Sequence, residues 1–163
     1  MNTGQMLLAL GALIFLSTII LRFNRAELKS DEVMYNSKFN VLASSLCTSL
    51  IEEAKGKAFD NNTDSAAVNS VSLLSSKLGP ETGENSSDDF NDFDDFNGYV
   101  RTDSTMPSAV FYVTSKVTYI DGSDLNKVST TQTWRKAITV TVMSSSMSNP
   151  VEMSSIYAYW YTK

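Results

Sequence analysis

Residues 1–21, MNTGQMLLALGALIFLSTIIL, decide how the rest of the chain is organised, because they carry no charged side chain before Arg22. At ~1.5 Å of rise per residue, a helix over residues 6–21 spans about 24 Å, and residues 1–5 extend it to about 32 Å. The hydrocarbon core of a bilayer is about 30 Å thick, so a membrane-type helix is predicted. A buried core helix of this length would normally keep a polar face. The apolar residues of the predicted helix are Met6, Leu7, Leu8, Leu10, Leu13, Ile14, Phe15, Leu16, Ile19, Ile20 and Leu21.

The charges that flank this helix create a conflict over orientation. Arg22, Arg25 and Lys29 follow it, and basic flanks normally stay in the cytoplasm. The rest of the chain is rich in serine and threonine, lacks histidine and contributes to a net charge of −5, as in exported domains. A cleaved secretory peptide would need a basic region before the apolar run and a small-residue site after it, and neither is present. A basic leader that once preceded Met1 and has been removed would resolve the conflict.

Residues 24–57 continue the helix in amphipathic form. Their apolar positions recur at intervals of three, four and seven, and charged residues stand between them. No proline interrupts residues 1–57, so one continuous helix is predicted, ending near Gly56, with one stripe buried against a globular domain. An ordinary core helix predicts the same stripe. The stripe consists of Leu28, Tyr35, Phe39, Leu42, Leu46, Leu50 and Ala54, and the weakest helical positions in the apolar half are Gly11, Ser17 and Thr18.

Residues 58–107 are rich in Asn, Asp, Ser and Gly and are predicted to be a loop that contains at most one helical turn or short strand. Within it lies an acidic-aromatic segment, residues 86–100, SSDDFNDFDDFNGYV, in which aromatic rings recur about every third residue. We expect the rings to pack on the domain and the carboxylates to face water. A calcium site is the alternative, because calcium prefers oxygen ligands, although no register matches the EF-hand loop. The candidate ligands are Asp88, Asp89, Asp92, Asp94 and Asp95.

Residues 108–163 change to a period of two, which is typical of strands with one buried face. Strands are predicted at residues 110–120, 128–143 and 151–162. The fold class is therefore α+β, a long N-terminal helix packed on a small antiparallel sheet of three to four strands. Four parts of the chain are expected. They are an apolar membrane-type helix at 1–23, its amphipathic continuation at 24–57, a variable loop with the acidic-aromatic segment at 58–107, and an antiparallel sheet domain at 108–163. The faces expected to be buried contain Phe111, Val113, Val117 and Tyr119, then Trp134, Ile138, Val140 and Val142.

The sequence offers little for catalysis. Without histidine, the usual general base and a common metal ligand are missing. There is no Gly-rich phosphate loop, no GxSxG motif and no CxxC pair, so an enzyme is not expected. Cys47 has no internal partner and is expected to be a small buried residue. The excess of acidic residues argues against nucleic acid as the main ligand.

This order of elements, a short polar start, an apolar helix, an amphipathic continuation, a loop and antiparallel strands, resembles a type IV pilin or pseudopilin subunit. The sequence DDFNGY at residues 94–99 is also similar to pilin-like proteins. In that family a basic leader is cut after a glycine, the new first residue is methylated and is often Phe or Met, and a glutamate stands fifth. Here Met1 and Gln5 occupy those positions. Gln5 retains hydrogen bonding but not the ion pair with a neighbour's terminal amine, Arg22 replaces a frequent proline, and cleavage after Gly4 is the second alternative.

The resemblance implies a subunit that is held in the inner membrane before assembly and then polymerises with its own copies into a cell-surface filament. It implies a prepilin peptidase, an assembly ATPase and a membrane platform as partners. If the helix opens when subunits pack, its low helix propensity at Gly11, Ser17 and Thr18 makes these the positions where we expect it to open. The alternative is a single-pass membrane-anchored extracytoplasmic protein whose acidic-aromatic segment binds a ligand or calcium. Neither function requires a cofactor beyond that calcium.

Overall fold

The computed structural model of the chain describes residues 2–106 and 108–160. The chain divides into two units, Met1–Lys38 and Phe39–Lys163. The first helix, α1, runs over Thr3–Lys55 without interruption and so belongs to both units. It ends directly before Gly56, which confirms the predicted continuous helix and its stop. Met1 and Tyr161 lie outside the described residues.

The described residues of the N-terminal unit are exposed, apart from the half-buried Asn36. Leu28 is 71% exposed and Tyr35 is 53% exposed, so the prediction that the buried stripe includes them is wrong. Burial along α1 begins at Phe39 and continues through Leu50 to Ala54. Helical spacing reports which residues share a face, but not where along the helix a packing partner begins.

The C-terminal unit confirms the α+β fold. It packs the second part of α1 on one antiparallel sheet with the strand order β1-β2-β3-β4. The strands are β1 Val100–Asp103, β2 Phe111–Tyr119, β3 Arg135–Met143 and β4 Val151–Ala158. Short helices lie between α1 and β1: α2 at Asn61–Asp64 and 3-10 turns at Val71–Leu73 and Asp94–Phe96.

Two strand boundaries differ from the prediction, and a fourth strand is placed. β1 lies inside residues 58–107, which were predicted to be loop with at most a helical turn or short strand, and it pairs with β2 through Val100↔Thr114 and its neighbours. β3 begins at Arg135 rather than near Val128, because residues 121–134 turn before pairing resumes and Val128 makes only an isolated bridge. β4 ends at Ala158 rather than at residue 162. Alternation of apolar and polar residues does not distinguish a strand that pairs in the sheet from an extended segment that leads into such a strand.

The main core lies between α1 and the sheet. The expected inward faces of β2 and β3 are buried, with the exception that Trp134 is half-buried. Cys47 is fully buried among them, with its Sγ 3.8 Å from Val140 O, as expected for a small core residue. Burial also raises the pKa of the Cys47 thiol, which makes it less reactive.

A smaller cluster lies at the far edge of the same core. Phe59 packs edge-on against Tyr157 at 5.6 Å between ring centroids, and Tyr159 stacks on Trp134 at 5.5 Å. Trp160, at the end of the described chain, is 86% exposed. The tyrosines of β4 and its end therefore tie this edge of the sheet to the loop that follows α1.

Candidate functional site

The first candidate site is the apolar helix segment, which we define as residues 3–21 of α1. The eleven large apolar side chains predicted from the sequence are all exposed, between 46% and 77%. The segment carries no charge, and α1 is long and apolar enough to cross a membrane. It therefore presents apolar surface on every side.

The two hydroxyls in the middle of this segment, those of Ser17 and Thr18, are satisfied within the helix. The Ser17 hydroxyl donates to Leu13 O at 2.8 Å, and the Thr18 hydroxyl donates to Phe15 O at 2.7 Å. Gly11 sits within the helix, and a side chain added there would meet no atom within 4 Å. In lipid, or against another apolar helix, unpaired polar groups would be costly, and these hydroxyls avoid that cost. Gln5 is exposed near the start of the segment, whereas Met1 lies outside the described residues.

The second candidate is the acidic-aromatic segment, where the sequence prediction was half right. Phe90, Phe93 and Phe96 are buried, as expected. Among the carboxylates, Asp88 and Asp89 face water. The expectation of exposure is wrong for the three others, Asp92, Asp94 and Asp95, which are at most 1% exposed.

Backbone amides explain how two of these aspartates are accommodated in the interior. Asp92 Oδ1 accepts the amide hydrogens of Asp94 and Asp95, at 2.8 and 3.2 Å. Asp95 Oδ2 in turn accepts those of Asn91 and Asp92, at 2.9 and 3.0 Å. In the tight turn of residues 91–96, these carboxylate oxygens thus accept hydrogen bonds from nearby backbone amides instead of from water.

Lys136 is the buried partner of the third aspartate. It is fully buried on β3, where its Nζ donates to Phe59 O at 2.7 Å and to Asp60 Oδ2 at 2.9 Å, and it also contacts Asp94 Oδ1. The ammonium lies 4.7 Å from the centroid of the Phe59 ring and 5.4 Å from that of Tyr119. One lysine thereby joins β3, the loop after α1 and the acidic-aromatic segment. We call the group of Phe59, Asp60, Asp94, Tyr119 and Lys136 the buried polar cluster.

Asp60 organises the other side of the buried polar cluster. It caps α2, accepts the Ser75 amide hydrogen at 2.9 Å and lies 3.3 Å from the Tyr119 hydroxyl. Burial alone would raise its pKa, but the Lys136 ammonium and the Ser75 and Asn62 amides hold the pKa of Asp60 below its usual value. Asp60 is therefore the ionised partner of Lys136.

The pKa of Asp94 is shifted in the opposite direction to that of Asp60. Burial raises the pKa of Asp94 to about 8 against the attraction of Lys136, and the neighbouring Asp92 carboxyl adds to the rise. Burial likewise raises the pKa of Asp92. Burial thus disfavours ionisation of both carboxyls, and the nearby ammonium of Lys136 offsets this only in part. The buried polar cluster thus connects β3, the loop after α1 and the acidic-aromatic segment.

Sequence reasoning missed Asp60 and Lys136, although one signal was available. Lys136 falls on the same alternation as Trp134, Ile138 and Val140, so the period of two already places it on the buried face. A buried lysine needs a carboxylate partner.

The five aspartates predicted as calcium ligands are not gathered into one group. Asp92, Asp94 and Asp95 share one turn, but Asp94 contacts Lys136, and Asp89 Oδ2 accepts the Ser86 amide hydrogen at 3.1 Å on the exposed side. Among the described residues, the acidic side chains close enough to share an ion are Glu81, Glu84 and Asp95. Searches with the whole chain found no matching protein-family model, curated protein or solved structure.

Proposed function

We propose that the chain is a structural subunit of a type IV pilus-like extracellular filament and that it polymerises through its N-terminal apolar helix. The observation that supports this most is the exposure of the apolar helix segment on every side. Large contiguous apolar surfaces on proteins mark contacts with membranes or with other proteins. A surface of this kind has to be covered in the functional state.

Two environments would cover the segment in turn. Burying apolar surface away from water contributes about 25 cal/mol per Å², so a free water-soluble subunit is unfavourable. Lipid tails are as apolar as leucine side chains, so moving the helix from the membrane to neighbouring helices changes this term little. Close packing and the assembly machinery would then determine the transfer. The implied partners are other copies of the chain, a prepilin peptidase, an assembly ATPase and a membrane platform.

The C-terminal unit suits the outside of such a filament. Its core is closed by α1 and the sheet, and the buried polar cluster ties its loops to β3. A domain whose core is closed in this way can be displayed on a fibre surface without exposing that core. The surface of this unit would then decide what the filament contacts.

The anchored binding protein remains the competing function, since a single apolar helix would also serve as a membrane anchor. It loses its proposed recognition surface, because the rings of Phe90, Phe93 and Phe96 are buried. Of the five aspartates, Asp88 and Asp89 are exposed on the surface, which leaves few acidic groups of the segment to contact a ligand outside the domain.

Microscopy of cell-surface material separates the two functions. Cells that express the chain are sheared, and the released material is examined by negative-stain electron microscopy with gold-labelled antibody against residues 108–163. The proposal expects label along filaments. Finding the chain only as monomer in the membrane fraction, with no labelled filament, would contradict the proposal and support the anchored protein.

A further inference from the structure

A tight turn brings two glutamates together in front of the acidic-aromatic segment. The Glu81 amide donates to Glu84 Oε2 at 2.8 Å, and the Glu84 amide donates to Glu81 O at 3.2 Å. Gly83, between them, has φ +111°, a conformation that side chains rarely adopt. One carboxylate oxygen from each of Glu81, Glu84 and Asp95 lies within 4.8 Å of the other two. The turn therefore positions three carboxylates around one point.

The buried oxygens of this group lack hydrogen-bond donors. Asp95 is 1% exposed, and while its Oδ2 accepts two backbone amides, its Oδ1 has no donor among the described residues. Glu81 Oε2 and Asn91 Oδ1 are also buried without a donor there. The Asn91 amide belongs to the same group, because its Nδ2 donates to Glu84 Oε1 at 2.7 Å. Buried acceptors are normally paired with a protein donor, an ordered water or an ion, so this group supplies the oxygen atoms that a bound cation would need.

No protein cation supplies that partner in the described part of the chain, where the ion pairs of Lys136 go to Asp60 and Asp94 and that of Lys127 goes to Asp121. A proton on one carboxyl would satisfy a single acceptor. A metal ion would satisfy several oxygens at once and would neutralise the charge of the whole group.

We propose that Glu81, Glu84, Asn91 and Asp95 bind one calcium ion. Calcium takes six to eight oxygen ligands at about 2.3–2.6 Å, from carboxylates, amide carbonyls and water, and tolerates irregular geometry. Magnesium prefers a near-ideal octahedron and keeps most of its waters, so it suits this buried group less well. An open cavity of about 420 Å³ lined by Glu84, Asp95 and Tyr99 provides a route from solvent. The ion would fasten the turn of residues 81–84 to the acidic-aromatic segment.

This site is distinct from the buried polar cluster. Asp92 and Asp94 also have donorless Oδ2 atoms, but Asp94 contacts Lys136, and neither carboxyl is grouped with those of Glu81, Glu84 and Asp95. Asp95 is the only one of the five aspartates predicted from the sequence that belongs to the proposed calcium site. The proposal does not depend on filament formation.

Metal binding is measured on the full-length chain in detergent micelles, stripped of metal with EGTA. Terbium, which replaces calcium, is added first, and its luminescence is excited through tyrosine, since Tyr99 lines the adjoining cavity. We expect saturable enhancement at one terbium per chain. Calcium should displace terbium at concentrations about tenfold or more below those at which magnesium does.

Two variants test the ligands. Glu81→Gln removes a carboxylate whose Oε2 lacks a donor, and Asp88→Asn removes an exposed carboxylate from the same region as a matched control. In EGTA, Glu81→Gln should melt at or above the wild-type temperature because like-charge repulsion is relieved, whereas in calcium the wild type should melt higher. The control should follow the wild type in both buffers. The proposal is overturned if terbium luminescence does not saturate, or if Glu81→Gln gains as much stability from calcium as the wild type.

Discussion

Lys136 joins three segments of the chain in the interior of the C-terminal unit. Its ammonium reaches one backbone carbonyl and two carboxylates that come from segments more than 40 positions away in sequence. A buried ion pair is costly to form, but removing one partner alone leaves an uncompensated buried charge. The stability of the unit should therefore depend strongly on Lys136, because replacing Lys136 alone leaves its buried carboxylates without a cation.

Lys136→Met is therefore expected to lower the free energy of unfolding by about 3–5 kcal/mol, because Asp60 remains buried without its ammonium. Chemical denaturation in detergent, followed by the near-ultraviolet circular dichroism of the stacked Trp134 and Tyr159, measures this change. Lys116→Met, on the exposed face of β2, is the control and should change stability by about 0.5 kcal/mol or less. Equal effects of the two substitutions would show that the buried polar cluster does not hold the fold together.

The raised pKa values of Glu81 and Asp94 predict the direction of pH dependence. Both groups bind a proton more readily in the folded chain, with pKa about 7 and about 8, than at their ordinary values of 4.5 and 3.8. Their contribution to stability is thus complete below about pH 4 and is lost as pH rises towards about 8. In EGTA the melting temperature should be higher at pH 5 than at pH 8, and Glu81→Gln should reduce the difference. A melting temperature that rises from pH 5 to pH 8 would refute this assignment.

At the scale of elements, α1 has two different surroundings within one continuous helix. Leu28 and Leu50 occupy the same predicted stripe, yet Leu28 is 71% exposed and Leu50 is 1% exposed. Helical periodicity revealed the stripe, but the start of burial depends on where the sheet ends in space. Only tertiary structure supplies that information.

The two leucines provide a matched test of this boundary. Leu50→Ala should lower the free energy of unfolding by about 2–5 kcal/mol, because it opens a cavity between α1 and the sheet. Leu28→Ala, the same chemical change in the same helix, should have an effect of about 0.5 kcal/mol or less. Thermal or denaturant unfolding of both variants in one detergent decides the matter. A comparable loss at Leu28 would mean that burial begins earlier along α1.

The acidic-aromatic segment shows where sequence reasoning reached its limit. The spacing of Phe90, Phe93 and Phe96 correctly predicted that the rings pack inward. The same reasoning placed all five aspartates in water, because it treated each carboxylate as a charge that needs solvent. Asp92 and Asp95 instead cap backbone amides within the turn, and Asp94 meets a lysine 42 positions later. Contacts over that distance leave no local pattern in the sequence.

At the scale of the whole molecule, the α+β architecture followed from hydrophobic periodicity alone, while the position of β1 and the start of β3 did not. The apolar helix segment was also evident from sequence, since an uncharged run of this length is rare in helices that pack on one face only. The calcium site was not, because Glu81 and Glu84 stand ten or more positions before Asp95 in a stretch without periodicity. The filament itself remains a proposal that rests on exposed apolar surface and on resemblance.

Gln5→Leu separates assembly from membrane insertion. The substitution keeps the segment apolar, so the chain should still enter the membrane fraction, but it removes the amide that we expect to pair with a polar group of a neighbouring subunit. Labelled filaments should fall by about tenfold, the effect of losing roughly 1.4 kcal/mol per contact. Asn24→Leu, another exposed amide on α1, should leave filament yield unchanged. Equal yields from both variants would contradict the role given to Gln5.

A cryo-electron microscopy map of filaments sheared from cells that express the chain would test the filament proposal at the level of atoms. We predict that the side chains of residues 6–21 fill the filament core, packed against the same segment of neighbouring subunits. We also predict that Gln5 lies within hydrogen-bond distance of a polar group on a neighbour. A map in which this segment faces solvent, or in which Gln5 is surrounded by apolar atoms alone, would contradict the proposal.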